Sequence, residues 1–327
     1  MRILTLNIGS STIKYAAFDG NGLELIERNK ISLKEGSQEI FKNFSRPDII
    51  VHRIVHGGDK FIRPTLLTND VLLELEEFSP FAPLHQPHNL NGVRTLQNLF
   101  PDVPQYGCFD TAFHAGHDKL HSTFAIPKLL RDKRLRRYGF HGLSYDWMSR
   151  QVQAKRMVAA HLGSGASLCA MLNGKSVDST MGLTALDGLP MSTRSGSIDA
   201  GLILYLSKNL KYSTEQIEHI LYSESGMLGL SGVSSDFKTL IESSDPCAKF
   251  AIDFFVFKTA QHIAMMVVSL GGLDKLVFTG GVGENAEPIR QKIINKLSFL
   301  PSFEIVIIPT NEEKMMAIQV QEALNNA

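Results

Sequence analysis

Two stretches of this chain repeat one pattern at a fixed distance, and that repetition limits the folds open to it more than any other feature. Residues 4–22 read "LTLNIGSSTIKYAAFDGNG" and residues 158–174 read "VAAHLGSGASLCAMLNG". In each, an apolar run breaks at a small, hydroxyl-rich turn, resumes as a second apolar run and ends at glycine, which is the pattern of a buried β-hairpin. Placing Gly9 on Gly163 also places Ser10 on Ser164 and Gly20 on Gly174, at an offset of 154 (163 − 9 = 154; 174 − 20 = 154). One such match is easily produced by chance, but similar elements follow both hairpins, which favours duplication.

After the first hairpin, "RPDIIVHRIVHGG" reads as a buried strand, "TNDVLLELEEF" and "NLNGVRTLQNLF" as amphipathic helices, and "PQYGCFDTAFH" as a strand entering a loop. After the second, "TEQIEHILYSES" and "DPCAKFAIDFFVFKTAQHIAMMVVSLGG" have helical period, and Gly271-Gly272 stops the latter. "LDKLVFTGGVGENA" then reads as a strand running into a glycine turn, and "SFEIVIIP" as a further strand. The expected architecture is α/β, with two hairpin-led domains and a cleft between them. The boundaries expected are 1–154, completed by a C-terminal helix in 311–327, and 155–310.

Composition removes several function classes. Lys+Arg and Asp+Glu are both 33, so there is no net field to attract nucleic acid or an anionic membrane. No uninterrupted apolar run reaches the roughly 18 residues that cross a bilayer, and "MRILTLNIGSS" lacks a signal-peptide pattern, so a cytoplasmic location is expected. Cys108, Cys169 and Cys247 are odd in number and lack CxxC spacing, which points to structural thiols.

Strand-turn-strand loops of Gly, Ser and Thr present N–H groups and hydroxyls to an anion, and Asn7 to Thr12, followed by Lys14, fits a phosphate. With Gly163–Gly165 and the turn in "FTGGVGENA", three such loops favour a nucleotide. Arg53 interrupts an apolar strand and needs a fixed anion or carboxylate as partner. Arg194 lies in the loop "PMSTRSGSID", placed for an anion. Asp110 and Glu284 end expected strands, where a carboxylate can hold a divalent cation through water or polarise a nucleophile. His114, His117 and His121 have metal-like spacing but lack acidic neighbours, so surface or phosphate-contact roles are preferred for them.

Ten motifs, "NIGSSTIKY", "HRIVHGG", "PLHQPHN", "FDTAFH", "RRYGFHGLS", "HLGSGASL", "DSTMGLTALDGLPMSTRSGSID", "GVSSDF", "FTGGVGENAEPIR" and "IPTNEE", occur in the order found in acetate and propionate kinases. The sequence resembles that family over nearly its whole length. The resemblance implies two ribonuclease H-like, actin-like ATPase domains that close on ATP, a Mg²⁺ or Mn²⁺ ion, a homodimer, and in-line transfer of a phosphoryl group to a short-chain carboxylate. By position it implies that Asn7, Ser10, Thr12 and Lys14 form a first phosphate loop, with His161, Gly163, Ser164 and Gly165 as a second. Gly280, Gly281, Gly283 and Asn285 are expected to form a third, and Asp236, Phe237 and Lys238 an adenosine pocket. Catalysis is implied for Asp110, Arg53, Arg194, His141 and His85, metal binding for Asn7 and Glu284, and an acyl pocket for Arg53, Val55, Leu84, Phe140 and Ala185. Family members usually carry Asn at position 164, Arg at 238, His at 145, Gly at 192 and Pro at 185, where this chain has Ser164, Lys238, Tyr145, Ser192 and Ala185. The same residues leave open a non-ATP donor such as pyrophosphate, or a nucleotide-gated binding protein. Replacing Arg53 or Arg194 is expected to cost turnover and leave the fold intact.

Overall fold

The computed structural model describes residues 1–9, 12–20, 22–32 and 45–326. The chain divides into two compact units, the first made of Met1–Ala115, Phe140–Trp147 and Asn311–Ala327, the second of Gly116–Gly139 and Met148–Thr310.

Unit 1 holds a six-stranded sheet of β1 (Arg2–Ile8), β2 (Thr12–Asp19), β3 (Glu24–Ser32), β4 (Ile49–Ile54), β5 (Thr65–Leu66) and β6 (Gln105–Phe109), in the order β3-β2-β1-β4-β6-β5. β1, β2 and β3 form an antiparallel meander, and β1, β4 and β6 run parallel. A parallel strand must be covered on both faces, and β1 shows the alternation that allows it. Ile3 packs with Val51, Met315, Met316 and Val320, the last three from the C-terminal helix Glu312–Asn325. Leu4, Leu6 and Ile8 face Ile50, Leu96 and Val103 on the other side, where the helix Gln86–Leu99 lies. The C-terminal helix thus supplies Met315, Met316, Ala317 and Val320 to the core on one face of the sheet that the N-terminus begins.

Unit 2 repeats the plan with β7 (Arg156–Leu162), β8 (Ala166–Leu172), β9 (Lys175–Ser179), β10 (Lys275–Thr279) and β11 (Glu304–Ile307), ordered β11-β10-β7-β8-β9. Again the first three form a meander and β7, β10 and β11 run parallel. The offset of 154 holds for the strands themselves, with β1 and β7 starting at Arg2 and Arg156 (156 − 2 = 154), and β2 and β8 at Thr12 and Ala166 (166 − 12 = 154). Asn173 and Gly174 both have positive φ (50° and 76°), the turn that closes a tight hairpin with the right twist.

The helix Pro246–Leu270 starts at the N-cap Asp245 with proline in its first turn and ends at Gly271, whose φ of 66° is left-handed. It is long and apolar enough to cross a bilayer, with a mean hydropathy of 1.4 over its most apolar window, although polar residues interrupt the run. Half of that window is buried inside the protein. Phe255, Val256, Thr259 and Ile263 are among its buried residues, and the helix packs on β7, β8 and β9, as a core helix does.

Cys108 and Cys169 are buried, and burial raises both thiol pKa values, as inert core residues require, whereas Cys247 is exposed. Three histidines of unit 1, His52, His56 and His114, are also fully enclosed. His52 Nε2 lies 2.8 Å from Gln105 Oε1, and His114 Nε2 donates to the Phe140 carbonyl at 2.9 Å. Burial lowers each pKa from 6.5 to about 4. Their folded values lie below the unfolded one, so unfolding takes up protons, and the stability held above pH 6.5 is lost as pH falls toward 4. Urea midpoints should therefore fall steeply between about pH 6.5 and pH 4.5, by on the order of 3 kcal/mol per histidine over the full window. His52→Gln should flatten the slope, and a parent protein equally stable at both ends would contradict the assignment.

Candidate active site

Parallel strands bring their C-terminal ends to one edge of a sheet, and in unit 1 β1, β4 and β6 bring Asn7, Arg53 and Asp110 together. Arg53 Nε lies 3.1 Å from both Asp110 oxygens, and Nη2 donates to Oδ2 at 2.6 Å. The third nitrogen, Nη1, donates to Asn7 Oδ1 at 3.2 Å. Asn7 Nδ2 in turn donates to Glu312 at 3.1 Å, and the same Glu312 oxygen lies 3.5 Å from Arg53 Nη1.

Neighbouring backbone is held tightly. The Gly142 N–H donates to the Asp110 carbonyl at 2.9 Å, and a Cβ there would fall 2.1 Å from that oxygen, so no other residue fits. His141 beside it adopts a left-handed φ of 58°, strain of a kind that clusters at functional sites. Two buried amides at the start of the helix Gln86–Leu99 latch the strand ends. Asn89 accepts from the Val55 N–H at 3.0 Å and donates to the Ile8 carbonyl at 2.6 Å, while Gln86 exchanges two hydrogen bonds with the His56 backbone. Val55 and Phe140 are buried, Leu84 is 37% exposed, and His85 is the N-cap residue of that helix. Thr12 opens β2, and Lys14 pairs with Asn7 in the register of β1 and β2, which puts both on one face of the sheet. Ser10 lies outside the described residues.

In unit 2 the equivalent edge is formed by β7 and β10, where His161 pairs with Thr279. The turn Gly163–Gly165 and the short helix Gly280–Asn285 meet there, and a Cβ on Gly163 would stand 3.8 Å from the Gly281 nitrogen. Gly280 has φ 79°, and a Cβ would fall 2.7 Å from the Leu162 carbonyl oxygen. Glu284 Oε1 accepts from the Gly280 and Thr310 N–H groups, both at 3.0 Å, and Asn285 donates to the Gly281 carbonyl. The Ser192 N–H donates to the Ser164 carbonyl at 3.1 Å, which brings the Arg194 loop onto the same turn.

That loop has its own scaffold, which the sequence did not reveal. Residues Ile220–Glu224 wind as a π-turn, a form frequent at functional sites, and the Leu221 and Tyr222 carbonyls accept from the Ser195 N–H at 3.0 Å and the Thr193 hydroxyl at 2.8 Å. Arg194 Nη1 donates to the Ala185 carbonyl at 2.8 Å. Arg137 spans Asp187 at 3.0 Å and the carbonyls of Ser179 and Thr180 at 2.9 and 3.1 Å, fixing the segment that carries Ala185.

Asp236 caps the helix Phe237–Glu242 by accepting from the Thr239 N–H at 2.9 Å. Phe237 is buried edge-on against Phe255, with centroids 4.7 Å apart, and Lys238 is exposed on the helix surface, 4.0 Å from Glu242. Capping, packing and a surface ion pair, rather than a face for a base, are what this structure records for those three residues. The histidines with metal-like spacing have separate partners: His114 the Phe140 carbonyl, His117 the Ser176 hydroxyl at 2.7 Å, and His121 the Asp118 carboxylate at 2.9 Å. His114 and His117 are buried, which excludes the surface role expected for them. Among the described residues no group of three or more His, Cys, Asp or Glu is arranged to hold a metal.

A sequence-family profile described as the Acetokinase family matches residues 26–302. The chain belongs to the Acetokinase family. It is 43% identical to an acetate kinase of Nitrobacter hamburgensis over 298 aligned positions, covering 83% of this chain and 74% of that protein. Its structure superposes on a propionate kinase from Francisella tularensis with a TM-score of 0.89 at 34% identity, covering 97% and 98% of the two chains. An acetate kinase from Porphyromonas gingivalis gives a TM-score of 0.87 at 30% identity, with 99% of each chain covered. The likeness runs through the whole of this acetokinase, so the α/β fold with two ribonuclease H-like units is that of its relatives.

Electrostatics in this acetokinase centre on Arg53. Burial works against its charge, but the Asp110 and Glu312 carboxylates more than offset that and raise its pKa. Asp110 is pushed up, by burial first and by Glu312 in addition, with Arg53 opposing both. Arg53 is therefore held in a structural pair, and the expectation that its loss leaves the fold intact is revised. Arg53→Ala strands a buried carboxylate and should cost about 3–5 kcal/mol in urea unfolding. Adding Asp110→Asn should recover a measurable part of that loss; a double variant no more stable than Arg53→Ala would show that the pair is not the source.

Proposed function

We propose that this acetokinase is a short-chain carboxylate kinase that moves the γ-phosphoryl group of ATP reversibly onto acetate or propionate, giving ADP and an acyl phosphate. The observation that carries this reading is the guanidinium of Arg53, held at the strand ends of unit 1 with its side chain 16% exposed and close in sequence to the buried apolar Val55. An anionic head and a short alkyl tail need just such a pairing.

Both reactants are anions, so the groups that matter are those that cancel repulsion as the acid oxygen bonds to the γ-phosphorus and the bond to the β,γ-bridging oxygen breaks. Arg53 and Arg194 stabilise the transferring group, Asp110 orients Arg53, and His141 and His85 donate hydrogen bonds to phosphoryl oxygens. Val55, Leu84, Phe140 and Ala185 line the acyl side. Asn7, Thr12 and Lys14, with the glycine turns at Gly163–Gly165 and Gly280–Gly283, hold the donor phosphates. Mg²⁺, or Mn²⁺ in its place, would be held by Asn7 and by Glu284, whose Oε1 accepts from two backbone N–H groups and leaves the second carboxylate oxygen as the donor. When bound, the cation would neutralise phosphate charge. The protein is expected to act in the cytoplasm, apart from nucleic acid and membrane.

A second copy of the chain is the proposed partner. The helix Ala200–Lys208 buries none of its residues although it is strongly apolar, with Leu204 56% and Tyr205 53% exposed. Light scattering should give twice the 36.2 kDa chain mass, and Leu204→Glu should yield monomer; a monomeric parent would remove the proposal.

The family match and the acetate and propionate kinase relatives do not favour pyrophosphate as donor or a nucleotide-gated binding role, and the retained pair Arg53 and Arg194 argues further against a pure switch, which needs no second anion site. A hydroxamate assay for acyl phosphate over acetate, propionate and butyrate, with ATP, GTP and pyrophosphate as donors, tests the reading directly. Ala185 lacks the ring that relatives carry as proline, and an extra methylene buried there is worth about 0.8 kcal/mol. Propionate should match or exceed acetate in kcat/KM, and Ala185→Pro should shift preference toward acetate. Acetate favoured by about tenfold, roughly 1.4 kcal/mol, in the parent would defeat the enlarged pocket.

A further inference from the structure

We propose that Asp187 is a positioning residue for phosphoryl transfer, setting the direction of the Arg194 guanidinium by fixing the Ala185 carbonyl that receives it. This rests on the carboxylate-kinase reading above.

The stem and the head of Arg194 are held by different parts of unit 2. Backbone contacts secure the stem: the Arg194 carbonyl accepts from the Met191 N–H, the Leu221 carbonyl from the Ser195 N–H and the Thr193 carbonyl from the Ser225 N–H, each at 3.0 Å. Gly226 packs so closely beneath that a Cβ there would fall 2.0 Å from the Met191 carbonyl oxygen. A fixed backbone does not fix a guanidinium at the end of a long side chain with many rotamers. Arg194 Nη1 donates to the Ala185 carbonyl at 2.8 Å, so the direction of the head follows the placement of residue 185.

Ala185 lies in neither helix nor strand, and its methyl group offers little to anchor it. Two ties bracket it. On one side the Thr184 hydroxyl accepts from the Leu186 N–H at 3.2 Å and hydrogen-bonds with the Tyr222 phenol. On the other, Asp187 uses both oxygens. Oδ1 accepts from the Ser197 hydroxyl at 2.6 Å and the Gly188 N–H at 2.8 Å, which closes the base of the loop 187–197 that carries Arg194. Oδ2 accepts from Arg137 Nη1 at 3.0 Å, and Arg137 in turn donates to the carbonyls of Ser179, the last residue of β9, and Thr180. One carboxylate thus closes the loop and fastens it to the sheet.

Stability alone gives little reason for this carboxylate. The Arg137 and Asp187 side chains are 24% and 33% exposed, and a pair so open to water contributes little to folding. The fit is nonetheless exacting, since a Cβ on Gly182 would stand 2.8 Å from Asp187 Oδ2.

The test is a set of variants assayed for acyl phosphate with ATP and acetate or propionate. Asp187→Ala should lower kcat by at least about tenfold and change the KM for ATP by less than about twofold, because the glycine turns hold the donor phosphates. Asp187→Asn keeps an acceptor for Gly188 and Ser197 but sets an NH₂ against Arg137, so its kcat should fall between those of Asp187→Ala and the parent. A double-mutant cycle decides the role. In an Arg194→Ala background Asp187→Ala should cost less than about twofold, because its effect passes through that guanidinium. A general loosening of unit 2 would instead lower kcat by the same factor with or without Arg194. Should Asp187→Ala fold poorly, Asp187→Asn serves in the same cycle. Equal losses in both backgrounds, or an Asp187→Ala enzyme as fast as the parent, would overturn the role of Asp187 while leaving the kinase reading standing. A parent enzyme that makes no acyl phosphate from any acid and donor would sink the kinase reading and this proposal together.

Discussion

The buried fork between Arg53 and Asp110 is the interaction on which the rest of unit 1 depends. It joins the ends of two adjacent parallel strands, β4 and β6, by three donor contacts at 2.6 to 3.1 Å. Desolvating two charges is costly, and the pair repays it only if every remaining polar atom is also satisfied. Much of the surrounding architecture meets that condition. Gly142 closes on the Asp110 carbonyl, Asn7 takes the third guanidinium nitrogen, and Gln86 and Asn89 tie the strand that carries Arg53 to its neighbours.

Unit 2 reaches a comparable edge by other means. Its loops are held by backbone contacts and by Glu284, which collects two N–H groups, rather than by a buried charge pair. A loop of glycine and serine has few side chains of its own to lock it, so rigidity is imported from the π-turn under Arg194 and from Arg137 under Ala185. That arrangement suits a surface meant for a charged ligand, since preorganised donors need not rearrange when an anion arrives.

Much of this was legible in the sequence. The hairpin echo is a local property of periodicity and turn chemistry, and it marked the first two strands of each sheet, β1 and β2 in one and β7 and β8 in the other. Arg53 stood out as a charge in an apolar strand, and Asp110 directly follows β6 as expected, whereas Glu284 lies in the short helix Gly280–Asn285 that follows β10 rather than at a strand end. The histidines His114 and His117 misled, because spacing along the chain says nothing about burial: the Phe140 carbonyl takes one, and a serine on β9 takes the other. Phe237 matches a family position, and the structure adds that its ring packs edge-on against Phe255 in the core.

Sequence by itself determined the leading hairpin of each unit, the duplication, the family and the residue types that can hold anions, because each of these is written in local pattern or in motif order. Tertiary structure alone decided which charges meet. That Arg53 is gripped by Asp110 and faced by Glu312, and that Asn7 stands between Arg53 and a helix at the far end of the chain, follows from sheet register and from a helix laid across β1. Electrostatic energies fall steeply with distance and with hydration, and neither quantity exists until the chain is folded.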